Sequence, residues 1–205
     1  MVVTSVGEGV RREFVVGARE GVMDDGAVRG ALAGQLEAAL SMLEECVRAC
    51  PDSQWDERIA KYPFWMVAYH TLCFVDCYLA RSNESFTRIV EDRVARRERG
   101  EPVADFHPKG MQELEEEYPS RRFSRDELLA YLEHCRGVCR RVLVKGEDEP
   151  LDGPSGFSWL AFSRLEAHVY NIRHVQHHTG QLGAFLRRAG VELRWVKSGG
   201  VQPVG

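Results

Sequence analysis

The chain has 205 residues, 44% of them apolar and 28% charged, with a net charge of −4. That length suits one domain, or one domain with an appended tail, and the balance is that of an ordinary globular protein. The mild negative charge leaves no electrostatic footprint for nucleic acid, and the first residues carry charge without the apolar run of a signal peptide, so a cytoplasmic protein is expected.

Residues 1–24 are rich in Gly and Val without a clear period and read as an N-terminal arm or tail, or a short strand. Asp24 and Asp25 then offer a helix cap, and Leu32, Leu36, Ala39, Leu43, Cys46 and Cys50 follow a helical stripe that Pro51 stops. This predicts a first helix of about 24 residues, roughly 36 Å long. After a loop containing Trp55, Pro63 suits the first turn of a second helix running to about Arg81. That helix is apolar nearly all round, so it should be central, and His70 and Asp76 within it argue against a membrane span.

Ser82–Phe123 mixes a charged run, a turn at His107 and Pro108, and the acidic L-E-E-E-Y-P, and reads as a long, partly helical crossover between helices 2 and 3. His107 is expected to be exposed. The arginines around Arg93–Arg99 and at Arg121, Arg122 and Arg125, intermixed with glutamates, read as solvated surface. Ser124 with Glu127 three residues on forms a capping box that opens a third helix, which should run to about Val144. A Gly- and Pro-rich loop follows. A fourth helix is expected from near Ser155 or Ser158 to Arg188, with Gly190 capping its end. Trp195, in a C-terminal extension at 191–205, is expected to pack on the helices. The prediction is an all-α four-helix bundle over residues 25–190.

Six cysteines fall in pairs four apart: Cys46/Cys50, Cys73/Cys77 and Cys135/Cys139. That spacing stacks each pair on one helical face, where cysteine acts as a small buried hydrophobe. Zinc-type pairs sit on loops, not mid-helix, so a thiolate metal site is the weaker reading.

The residues that carry chemistry are histidines. His174 and His178 share one face of the fourth helix, continued by Leu182 and Phe185, so both should point inward. Burying two imidazoles is costly unless their nitrogens find partners, and a shared metal would satisfy both. On an apolar face a lone histidine such as His70 is usually a satisfied core residue. With helix 4 against helix 2 it becomes the candidate third ligand, leaving a position open for water or substrate. His177 lies about 100° round the helix and falls outside this set. Asp76, Gln181 and Glu166 are candidates for orienting a ligand imidazole, or equally for surface or capping roles. The H-E-x-x-H signature of metalloproteases is absent.

The phrases W-M-V-A-Y-H-T-L-C-F-V-D-C-Y-L (residues 65–79) and Y-N-I-R-H-V-Q-H-H-T-G-Q-L (residues 170–182) resemble the DinB/YfiT-like superfamily of bacterial metalloproteins. In that family a histidine on the second helix and an H-x-x-x-H pair on the last helix hold a divalent metal. The resemblance covers roughly residues 25–190 and implies those roles for His70, His174 and His178. Imidazole ligands suit zinc or nickel, and the resemblance further implies, in several branches, a low-molecular-weight thiol used by an S-transferase, with hydrolases in others. A small-molecule substrate and a homodimer are expected, with the crossover and the N-terminal arm as natural places for a dimer contact or a lid. Three readings compete: a metalloenzyme activating a thiol or water, a metal-stapled stress-response protein without catalysis, and a helical interaction protein whose histidines satisfy each other.

Overall fold

The computed structural model describes residues 24–112, 119 and 121–199 of the chain. The arm expected at 1–24 and the acidic run at 114–118 lie outside these, apart from Asp24. Asp24 accepts the backbone N–H of Gly26 and opens α1 (Asp25–Ala49), which buries Leu32, Leu36, Leu40, Leu43 and Val47. Pro51 follows, where a missing N–H and a fixed φ end the helix. A two-residue-per-strand hairpin, β1 (Arg58–Ile59) and β2 (Tyr62–Pro63), leads into α2 (Phe64–Leu79). Pro63 stands just before α2 and not inside its first turn. Of the 16 residues of α2, 13 are buried, so it is the central helix.

Ser82 accepts the N–H of Ser85 and starts α3 (Asn83–Glu98), which buries only Phe86 and Val90 and forms the helical part of the crossover. Ser124 and Glu127 make both halves of the expected capping box at the start of α4 (Arg125–Cys139). The third helix does reach Val144, but residues Arg140–Val144 widen into a π-helical turn.

The last helix, α5 (Arg164–Arg188), begins later than the apolar pattern implies. Its true start is a second capping box, Ser163 with Glu166. Residues 155–162 are instead a loop laid over the end of α2. Gly156 takes φ +88° there, and a β-carbon on it would meet the Arg81 carbonyl oxygen at 2.1 Å, so only glycine fits. Phe157 and Leu160 mimic a helical stripe because both bury, in a small cluster with Tyr78, Phe86 and Val90. Gly190, at φ +80°, ends α5 as expected.

α1 and α2 each pack against both α4 and α5, giving an all-α four-helix bundle ordered α1, α4, α2, α5 around its axis. All six cysteines are buried and none forms a disulfide among the described residues. Burial pushes Cys46, Cys50, Cys77 and Cys139 up to about 12, so these thiols stay protonated and inert.

Where α5 begins, the fully buried Arg164 donates to the carbonyls of Tyr78 and Leu79, two of the acceptors α2 leaves over at its C-terminus. Asp148 neutralises it at 2.9 Å and also takes Arg29 and His168. Two surface expectations are corrected. Arg93 pairs with buried Asp76 at 2.8 Å and does not lie in solvent. Trp195 is 70% exposed. Residues 191–199 of the extension dock along α1 by other contacts, with Gly199 donating to Gly34 at 2.9 Å and the Arg194 N–H to Glu45 at 2.8 Å, and 200–205 lie outside the described residues. Among the described residues, no helix is long and apolar enough to cross a membrane.

Candidate metal centre

The buried faces of α2 and α5 meet along a seam, and the seam carries His70 from one side and His174 and His178 from the other. Each of the three offers one ring nitrogen such that all lie within 4.8 Å of one another. The His70 and His174 Nε2 atoms are 3.4 Å apart. That is long for a hydrogen bond, and it matches the edge of a tetrahedron with ligand bonds of about 2.1 Å. The rings of His174 and His178 are 4.6 Å apart, as expected for residues four apart on a helix.

The surroundings keep these imidazoles neutral. Burial, reinforced by His178, lowers His70 to about 4. Burial and the neighbouring imidazoles lower His174 to about 3. His178 is also lowered, chiefly by burial, with an opposing hydrogen bond from Gln181. A neutral imidazole is the form that ligates. The set therefore stands ready to donate near neutral pH without first losing protons.

Gln181 settles one tautomer. Its Oε1 can only accept, so His178 Nδ1 donates to it at 2.9 Å and leaves the Nε2 lone pair free. The Gln181 amide then reaches His177 Nε2 at 3.1 Å. His177 thus stays outside the cluster and supports it through Gln181. His174 Nδ1 is buried with no hydrogen-bond partner among the described residues. Phe74 and Tyr78 flank its ring at 5.5 and 6.1 Å and shield that side of the cluster from water.

Two of the suggested orienting residues sit elsewhere. Glu166 completes the α5 capping box. Asp76 faces the opposite side of α2, where it accepts from Arg93 at 2.8 Å and meets His134 at 3.2 Å. His107, expected in solvent, is only 2% exposed there and contacts Tyr131 at 2.9 Å. Burial lowers His107 to about 4 although Asp76 opposes this. Burial alone would raise the Asp76 carboxyl, but the His134 hydrogen bond and the Arg93 charge hold it well below the usual carboxylate range. His134 went unnoticed in the sequence. Its place three residues after Tyr131 on α4 was the only signal available.

On its open side the histidine cluster adjoins a cavity of about 630 Å³ that His70 and His178 help to line. That volume is typical of a small-molecule site. Among the described residues this is the one group of three or more metal-ligating side chains close enough to share an ion. The donor set fits a borderline divalent cation: three neutral nitrogens, one lone pair secured by Gln181, and space left on the cavity side.

The model of the DinB superfamily matches the chain over residues 35–182. That span runs from the middle of α1 to near the end of α5 and contains all three histidines. No curated protein and no solved structure matches the chain.

Proposed function

The chain belongs to the DinB superfamily, and on that premise we propose that it is a metalloenzyme whose divalent ion is held by His70, His174 and His178. The observation that carries this reading is the convergence of three neutral ring nitrogens within 4.8 Å at the edge of a cavity. A cation held by three neutral ligands keeps its full charge and so favours the ionised form of a thiol or water beside it. Zinc and nickel suit such a nitrogen set.

The chain's own residues do the rest. α2 and α5 hold the donors on rigid elements. Gln181 orients His178. Phe74 and Tyr78 flank His174 on the inner side, and the cavity gives a co-substrate its approach. A low-molecular-weight thiol and an electrophilic small molecule, or a hydrolysable one, fit this scheme equally in their chemistry. The cavity favours an enzyme over a metal-stapled scaffold, because a stapling ion needs no room for a third party.

Metal content of the purified protein tests the site. Wild type should carry close to one equivalent and His174→Ala close to none; equal content in both would rule the site out. Turnover with thiol and electrophile panels then tests the enzyme. Metal without thiol binding or turnover would support the scaffold role.

A further inference from the structure

The cavity beside the histidines carries charge of one sign. Arg58, Lys61 and Arg188 line it and, among the described residues, no carboxylate does, although the whole chain is at −4. Arg58 and Arg188 make no ion pair among the described residues. Elsewhere the arginines are mostly engaged: Arg93, Arg122, Arg125, Arg136 and Arg164 all hold carboxylates. Tyr62, Met66 and Phe185 add apolar surface to the same lining.

The wall that presents Arg58 and Lys61 is the β1–β2 hairpin, and its tip is strained. Ala60 sits at φ +55°, where a β-carbon crowds the backbone. Such strain persists only where the surrounding structure holds it, and it clusters at ligand sites and switches. Glycine would relieve it but would loosen the tip, so alanine keeps the cationic wall in fewer conformations.

We propose that the cavity selects a small organic acid: a carboxylate held by Arg58 and Arg188, an apolar body on Tyr62, Met66 and Phe185, and the far end facing His70 and His178. The planar guanidinium fork matches a carboxylate better than any neutral polar group. The chemistry at the far end rests on the metalloenzyme reading above. The preference for an acid rests on the arginines alone.

Titration calorimetry with phenylbutyrate, its amide and butyrate tests this at about pH 8, where the two acids are ionised. The proteins are the metal-loaded full chain, the same chain after chelation, and the Arg58→Gln, Arg188→Gln double variant. Phenylbutyrate should bind about tenfold or more tightly than either its amide or butyrate. The double variant should bind acid and amide alike while keeping wild-type metal content and melting temperature. Equal affinities in the wild type, or no binding of any probe, would overturn the proposal. So would an acid preference that survives in the double variant but disappears on chelation, since the carboxylate would then sit on the metal. An acid preference that depends on the arginines in a wild type that holds no metal would sink the metalloenzyme reading and leave this one standing.

Discussion

α2 has polar groups buried on two sides, and the two sides treat their histidines differently. Towards α3 and α4, Asp76 gathers Arg93, His134, His107 and Tyr131, and each polar group there has a partner among the others. Towards α5, His70, His174 and His178 meet mainly one another, with no acid among them and His174 Nδ1 unpartnered among the described residues. The first side is closed by its own chain. The second has lone pairs to spare and a cavity beside it. Both raise the same desolvation problem; one answers it with a buried carboxylate and the other leaves it for a ligand to answer.

The widest gap between the two sides should appear on deleting Asp76. Asp76→Ala strands the Arg93 charge in the interior and should lower unfolding free energy by about 3–5 kcal/mol, measured by urea denaturation. Metal content per folded molecule should stay at the wild-type level. A matching loss of metal would mean the two sides are coupled. On the other side, a metal at about a thousand times its dissociation constant should add about 4 kcal/mol to the wild type. His70→Ala should gain almost nothing from the same metal in a thermal melt, and an equal gain would place the ion elsewhere.

Acid should separate the sides further. In chelated protein the folded-state values of His70, near 4, and His174, near 3, lie below that of an unfolded histidine at about 6.5. The native state then binds fewer protons than the unfolded chain between those values. Stability is therefore full above about pH 6.5 and falls as pH drops towards 4, by something on the order of 1–3 kcal/mol. His107, also near 4, contributes in the same direction. A His70→Leu, His174→Leu variant should show a shallower fall over that window, and an unchanged slope would assign the whole effect to the Asp76 side. The smallest effect should come from Gln181→Leu. Freeing the His178 tautomer should weaken metal binding about tenfold, with a change in stability within about 0.5 kcal/mol. Metal competition with a chromophoric chelator would detect it.

The candidate site was legible from the sequence because it lies on two long helices, where spacing alone decides which residues share a face. His174, His178 and the exclusion of His177 follow from that geometry, and His70 needed only the assumption that α2 packs on α5. The Asp76 side was not legible. His107 comes from the crossover and Arg93 from a charged run, and local composition there resembles solvent-exposed chain. Only the tertiary path of the crossover brings them to Asp76. The start of α5 was misplaced for a different reason. Ser163 and Glu166 form the same cap signature as Ser124 and Glu127, but the apolar residues 157–162 ahead of it imitate a helix while lining a loop. The β1–β2 hairpin was missed as well, since two residues per strand are too few to show alternation.

The buried corner at Arg164 bears on the order in which the chain folds. It joins Arg29 of α1, the last carbonyls of α2, Asp148 and His168, and its links to α1 and α2 span some 85 to 120 residues of sequence. Contacts that distant cannot form until the helices have collapsed together, because closing such loops must precede any gain from the pairing. The corner should therefore lock late, after the folding transition state. Asp148→Asn would then accelerate unfolding and leave the folding rate nearly unchanged. The corner would act as a latch that sets how long the native state persists, with little say in how quickly it is reached.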